Sequence, residues 1–265
     1  MDPERSSYTF GDSDLAAHRL ALLAETFGPT TARFLRMHRN GTPSLVVDLG
    51  CGPGYTTELL RDILRPGRTM AIDSSRTYVE LVAQRLGSSA EVLCADALAL
   101  PDIIRDVDVI FARFLLTHLA DPLRAIAQWL ERLGSDGVFL SEEVESITTD
   151  EPILVAYLNL QREMLRANGN ELEIGPLLAQ VADTRAQVIS SELAILSPPT
   201  AVAARMFAMN FATWRHHPLI AERHTGVELD GIAIALDDLA AQEATSSAIT
   251  WRLRHAVLRA DESRF

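Results

Sequence analysis

The chain has 265 residues, 48% of them hydrophobic and 23% charged, which suits one large α/β domain with a core that needs no disulfide or metal staple. With 36 acidic residues against 24 basic ones the net charge is −12, and such a surface argues against a main role on nucleic acid or at an anionic membrane. Two cysteines, Cys51 and Cys94, are too few for a disulfide framework and are expected as reduced thiols in apolar surroundings.

The opening residues carry no apolar stretch of signal-peptide type, and nowhere do about 18 apolar residues run unbroken, so a cytoplasmic location without a membrane span is expected. Asp12 and Ser13 can cap a helix carrying Leu15, Leu20, Leu22 and Leu23, and Gly28-Pro29 is expected to stop it. A second short helix carries Phe34, Leu35 and Met37. The apolar run 45–49 then breaks into Gly50-Cys51-Gly52-Pro53-Gly54. Helices are expected at 56–64, 75–86 and 123–133, alternating with strands at 69–72, 91–95, 107–112 and 138–144. This alternation over 45–145 indicates a parallel sheet with helices on both faces. Further on, helices are expected at 152–167, 176–183, 200–216 and 227–243, with strands at 186–196 and 246–258. No repeat or linker interrupts the chain, so 1–265 reads as a single domain. Within it, 1–41 form a helical lid, 42–150 a cofactor-binding core, and 151–265 the remaining strands with helical substrate-cap insertions.

The strongest signal is Val46-Val47-Asp48-Leu49-Gly50-Cys51-Gly52-Pro53-Gly54. The strand delivers Asp48 to the carboxyl edge of the sheet, where open α/β folds bind ligands. Its Gly-x-Gly-x-Gly spacing differs from the Gly-x-Gly-x-x-Gly turn that cradles a dinucleotide pyrophosphate. Asp73 ends the next strand in Ala71-Ile72-Asp73-Ser74-Ser75, where a carboxylate can accept both hydroxyls of a ribose. Asp96, in Cys94-Ala95-Asp96-Ala97, can accept an exocyclic amine. Arg113 ends the fourth strand in Phe111-Ala112-Arg113-Phe114.

These residues, over about 44–145, resemble the class I S-adenosylmethionine-dependent methyltransferases. The resemblance implies a Rossmann-like seven-stranded, mostly parallel sheet with an antiparallel last strand. It implies that Gly50, Gly52 and Gly54 shape a methionine pocket and that Asp48 orders the loop and the ligand's amino group. Asp73, with Ser74 beside it, would hold the ribose; Asp96 and Ala97 would frame the adenine, and Arg113 would complete the cofactor site. Tyr8-Thr9-Phe10-Gly11 is similar to the opening of many actinobacterial small-molecule methyltransferases, which implies that Tyr8 lies over the sulfonium with its hydroxyl near the reacting atoms.

Glu143 is the candidate catalytic base, since alternation puts it on the face of Phe139 and Ser141, with Glu142 opposite. His118, after the fourth strand, is a second candidate near the acceptor. His216, His217 and His224 match no zinc spacing, and no metal site is expected. The expected function is methyl transfer to a small, largely apolar or aromatic natural-product acceptor, at oxygen, nitrogen or an electron-rich carbon such as that of an indole. The alternative is a cofactor-binding protein of the same fold that no longer transfers methyl. No nucleic-acid or membrane partner is expected, and a homodimer is left open.

Overall fold

A computed structural model describes residues 14–181, 186–242 and 246–261. The elements are α1 (Asp14–Met37), β1 (Leu45–Leu49), α2 (Tyr55–Leu64), β2 (Arg68–Asp73), α3 (Arg76–Leu86), β3 (Glu91–Cys94), β4 (Val107–Arg113), α4 (Pro122–Leu130) and β5 (Leu133–Thr149). After them come α5 (Pro152–Ala167), β6 (Ala186–Leu196), α6 (Thr200–Trp214), α7 (Pro218–Ala221), α8 (Gly226–Ala240) and β7 (Ile249–Ala260). These residues form two compact units. One contains Ala24–Ile147, Leu172–Leu196 and the chain from Trp251; the other contains Thr148–Glu171 and Ser197–Thr250, with the chain up to Leu23.

The first unit holds a seven-stranded sheet of order β3-β2-β1-β4-β5-β7-β6. β3, β2, β1, β4 and β5 pair in parallel, while β6 and β7 pair antiparallel. Val46 and Phe111 point to one face and meet Phe34 and Leu35 of α1 and Leu60 and Leu64 of α2. Val47, Ile110 and Phe139 point to the other and meet Ala125, Ile126 and Trp129 of α4. Both faces of the central strands are thus covered by helices, which explains their unbroken apolar runs. In the second unit Tyr157 of α5 stacks on Phe207 of α6 at 4.3 Å, and its hydroxyl accepts a bond from Asn210 Nδ2 at 2.7 Å. Thr225 and Glu228 close a capping box at the start of α8.

Three expectations need correction. α1 runs unbroken through Pro29, where the hydroxyls of Thr30 and Thr31 bond to the Phe27 carbonyl at 2.7 and 3.2 Å. Within the described part of the segment 176–183, the structure has a 3-10 turn, Gly175–Ala179, where an α-helix is expected. Cys94 is exposed, because it ends β3 at the rim of the sheet; only Cys51 is buried. Among the described residues no helix is long and apolar enough to cross a membrane.

Candidate functional site

Because β1, β2 and β3 run parallel and adjacent, their carboxyl ends bring three loops to one edge. The β1 loop turns at Gly50, Gly52 and Gly54, all with positive φ of 64°, 52° and 87°. A side chain is excluded twice over at Gly50 and Gly54. The left-handed conformation disfavours one, and a Cβ would lie 2.9 Å from Leu115 at Gly50 and 3.1 Å from Val82 at Gly54. The loop therefore presents bare backbone. Asp73 braces it: Oδ2 accepts the Gly52 amide at 2.9 Å, and Oδ1 accepts the Ser75 amide at 2.8 Å. An ionised carboxylate offers about four acceptor positions, so these bonds are compatible with receiving ribose hydroxyls as well. Ser74 is exposed beside it. Asp96 is exposed in a turn of its own, with Oδ1 accepting the Leu98 amide at 2.8 Å, and the carbonyl of Ala97 accepts the Trp129 indole N–H at 2.8 Å.

Asp48 lies beneath the loop, 1% exposed, and accepts the Thr57 hydroxyl at 2.6 Å. Burial pushes its carboxyl up to about 7; the Thr57 bond and the Arg113 guanidinium oppose the rise, and Asp73 adds to it. Cys51 is buried next to it and its thiol is pushed well up by burial, which makes it an inert wall.

The ends of β4 and β5 are built differently. Phe114 follows Arg113 with φ of 53°, a conformation that costs a bulky residue energy and persists only when its surroundings fix it. Glu143 supplies that fixing, since Oε1 accepts the amides of Leu115 and Leu116, each at 2.9 Å. The side chain is fully buried, and Oε2 has no partner among the described residues. Burial pushes the Glu143 carboxyl up to about 8, against the two amide bonds that favour its charge. His118 closes the 3-10 turn Leu116–His118, its amide bonded to the Leu115 carbonyl at 2.9 Å.

Arg113 pairs across the strands with Glu142 and donates to the Thr31 hydroxyl at 3.2 Å. Thr31 in turn donates to Glu142 Oε1 at 2.9 Å, and His255 of β7 meets Glu142 Oε2 at 2.7 Å. Thr31 and Glu142 are fully buried and His255 nearly so. The alternation along β5 holds, with Glu142 and Glu143 on opposite faces, but neither is a solvated strand end.

All described candidates thus lie in one compact unit. The loop glycines, Asp48, Asp73, Ser74, Asp96 and Ala97 meet at the ends of β1–β3, while Arg113, His118 and Glu143 cluster at the ends of β4 and β5. Tyr8 lies outside the described residues. Sequence reasoning missed Thr31, Thr57, Trp129, Glu142 and His255. A signal existed for the last: His255 falls in step with Trp251, Leu253 and Val257 on one side of β7, all of them buried. Among the described residues no group of three or more His, Cys, Asp or Glu side chains is placed to hold a metal ion.

Residues 46–137 match the family model described as a methyltransferase domain. The chain is similar to a malonyl-[acyl-carrier protein] O-methyltransferase of Anoxybacillus flavithermus, 29% identical over 99 residues, which are 37% of this chain and 38% of that protein. It is also similar to a trans-aconitate 2-methyltransferase of Acidovorax ebreus, 26% identical over 227 residues, 84% of this chain and 82% of that one. The chain thus spans less than half the length of the first of these relatives. Among solved structures, mycolic acid cyclopropane synthase CmaA1 complexed with SAH and CTAB has the same fold. Its TM-score is 0.60 at 15% identity, covering 97% of this chain and 99% of that one.

Proposed function

We propose that this chain, whose residues 46–137 match a methyltransferase domain, is a class I S-adenosylmethionine-dependent methyltransferase that transfers a methyl group to a small, largely apolar or aromatic acceptor. The observation that carries this reading is the meeting of a bare glycine loop, Asp73 and the Asp96 turn at the ends of three adjacent strands. S-adenosylmethionine, when bound, supplies a methyl group already activated on a sulfonium. The loop amides and Asp48 would receive the methionine end, Asp73 the ribose hydroxyls, and Asp96 with Ala97 the adenine. These groups hold the methyl still for an in-line attack and exclude water from it. Glu143 is the group to take the proton that hydroxyl or carbon acceptors release. Tyr8 is proposed to cover the reacting atoms.

The relatives named above act, by their names, on malonyl-acyl-carrier protein and trans-aconitate, so carboxylate acceptors belong in the first assay. The test is calorimetry with S-adenosylhomocysteine, followed by transfer of labelled methyl to a panel of indoles, phenols, amines and trans-aconitate. Absence of binding sinks the reading. Binding without transfer to any acceptor favours the alternative of a cofactor-binding protein that no longer methylates.

A further inference from the structure

Four charged or titratable side chains from four strands share one side of the sheet beneath the glycine loop. They are Asp48 of β1, Arg113 of β4, Glu142 of β5 and His255 of β7. Arg113 feels the fields of both Glu142 and Asp48, and through Thr31 it is bonded to the Glu142 carboxylate. The field of one guanidinium thus acts on two buried carboxylates, and buried charge is tolerated only where it is compensated. His255 stacks on Phe34 at 4.4 Å and reaches Glu142 from the far side, where a protonated ring would add a second positive charge. With the Glu142 carboxylate replaced by a neutral group, the field of Arg113 would act on Asp48 with less opposition.

We propose that Glu142, held by Thr31 and His255, is a positioning residue that divides Arg113 between itself and Asp48 and so sets the charge presented to the cofactor's amino group. This rests on the reading that the loop binds S-adenosylmethionine. The groups facing Asp48 are Thr57, Arg113, Asp73 and the buried Cys51 thiol. Those facing Glu142 are Thr31, His255, Arg113 and neighbouring Glu143. Those facing His255 are Glu142, Phe34, Glu192 directly across on β6 and, at longer range, His38.

The test is S-adenosylhomocysteine affinity by calorimetry from pH 6 to pH 8 on the full chain. Binding by the native protein should strengthen as Asp48 ionises near pH 7. Glu142→Gln keeps the shape and lowers that midpoint, so binding at pH 6 should tighten by up to about tenfold, one full pH unit of ionisation, and converge with the native value at pH 8. His255→Gln keeps a donor without the positive charge of a protonated ring, and should raise the midpoint by about half a unit, weakening binding about threefold at pH 6 and about twofold at pH 7. Opposite signs are what a merely structural loosening cannot give. Changes of the same sign in both variants, or an unmoved midpoint in Glu142→Gln, overturn the proposal. If Glu142→Gln fails to fold, His255→Gln decides alone, and an unmoved or lowered midpoint overturns it. If the native protein binds no S-adenosylhomocysteine at all, the methyltransferase reading falls and the proposal with it.

Discussion

The ends of β1–β3 and the ends of β4–β5 both carry carboxylates, and they use them in opposite ways. Asp73 and Asp96 reach solvent at least in part and accept amides of the loops after β1, β2 and β3, at most 21 residues away in sequence. Glu142 and Glu143 are fully buried. Glu142 depends on Thr31 and His255, 111 and 113 residues distant, and Glu143 on amides 28 and 27 residues back. The first arrangement shapes a surface for a ligand, whereas the second buries titratable groups inside the sheet. That difference separates residues whose loss should weaken cofactor binding from residues whose loss should change protonation.

The sharpest way to break the comparison is at Asp73. Asp73→Ala should weaken S-adenosylhomocysteine binding by roughly 2–4 kcal/mol, counting two charge-assisted bonds. Calorimetry with unchanged affinity would remove this strand end from the site. At the other region, Glu143→Gln keeps the two accepted amides and removes the basicity. If Glu143 takes the acceptor's proton, turnover should fall about 10²-fold with cofactor affinity intact. Native turnover should rise with pH through about 8, where the carboxyl ionises. Glu142→Gln should change turnover far less. Equal losses at the two positions would mean that proximity alone drives the reaction.

How much the sequence disclosed follows the same division. The glycine loop, Asp48, Asp73 and Asp96 stand in short motifs at strand ends, so their placement follows from local alternation, and the parallel order of β1–β5 follows with it. The alternation along β7 marks His255 as inward-facing, but its pairing with Glu142, like that of Thr31, is illegible, because each comes from an element distant in the chain and only the assembled sheet brings them together. α1 was misread for a local reason: Gly28-Pro29 is a strong stop signal, but the Thr30 and Thr31 hydroxyls bond to the carbonyl of Phe27 across the interruption. Trp129 was invisible as a site residue, since its role is a single bond from a helix to the Ala97 carbonyl.

Stability against pH sharpens the contrast further. The Glu143 and Asp48 carboxyls, at about 8 and about 7 in the fold, sit above their ordinary values of 4.5 and 3.8. The folded state therefore holds more protons than the unfolded chain between those limits, and stability falls as pH rises through the window. The contribution is complete below about pH 4 and lost above about pH 8. Thermal melts of the native protein should move down from pH 6 to pH 9, and Glu143→Gln should flatten that slope and melt higher than the native protein at pH 9. A native melting temperature that rises over this range would contradict the buried placement of both groups.

The smallest effect is expected at Trp129, where the two regions' logic meets. The ring is 1% exposed in the core beneath α4, yet its N–H ends on Ala97 in the loop after β3. Trp129→Phe keeps most of the apolar contact and removes the donor, leaving the Ala97 carbonyl to water. Because Ala97 is only half-buried, water can replace the bond, and the cost should lie near the ordinary value for one hydrogen bond, about 0.5–1.5 kcal/mol. If Ala97 frames the adenine, the variant should lose S-adenosylhomocysteine affinity by a similar amount, because a looser loop must be ordered on binding. A lowered melting temperature with unchanged affinity would show that the bond serves the core alone, and that Asp96 and Ala97 mark the edge of the sheet rather than the wall of the site.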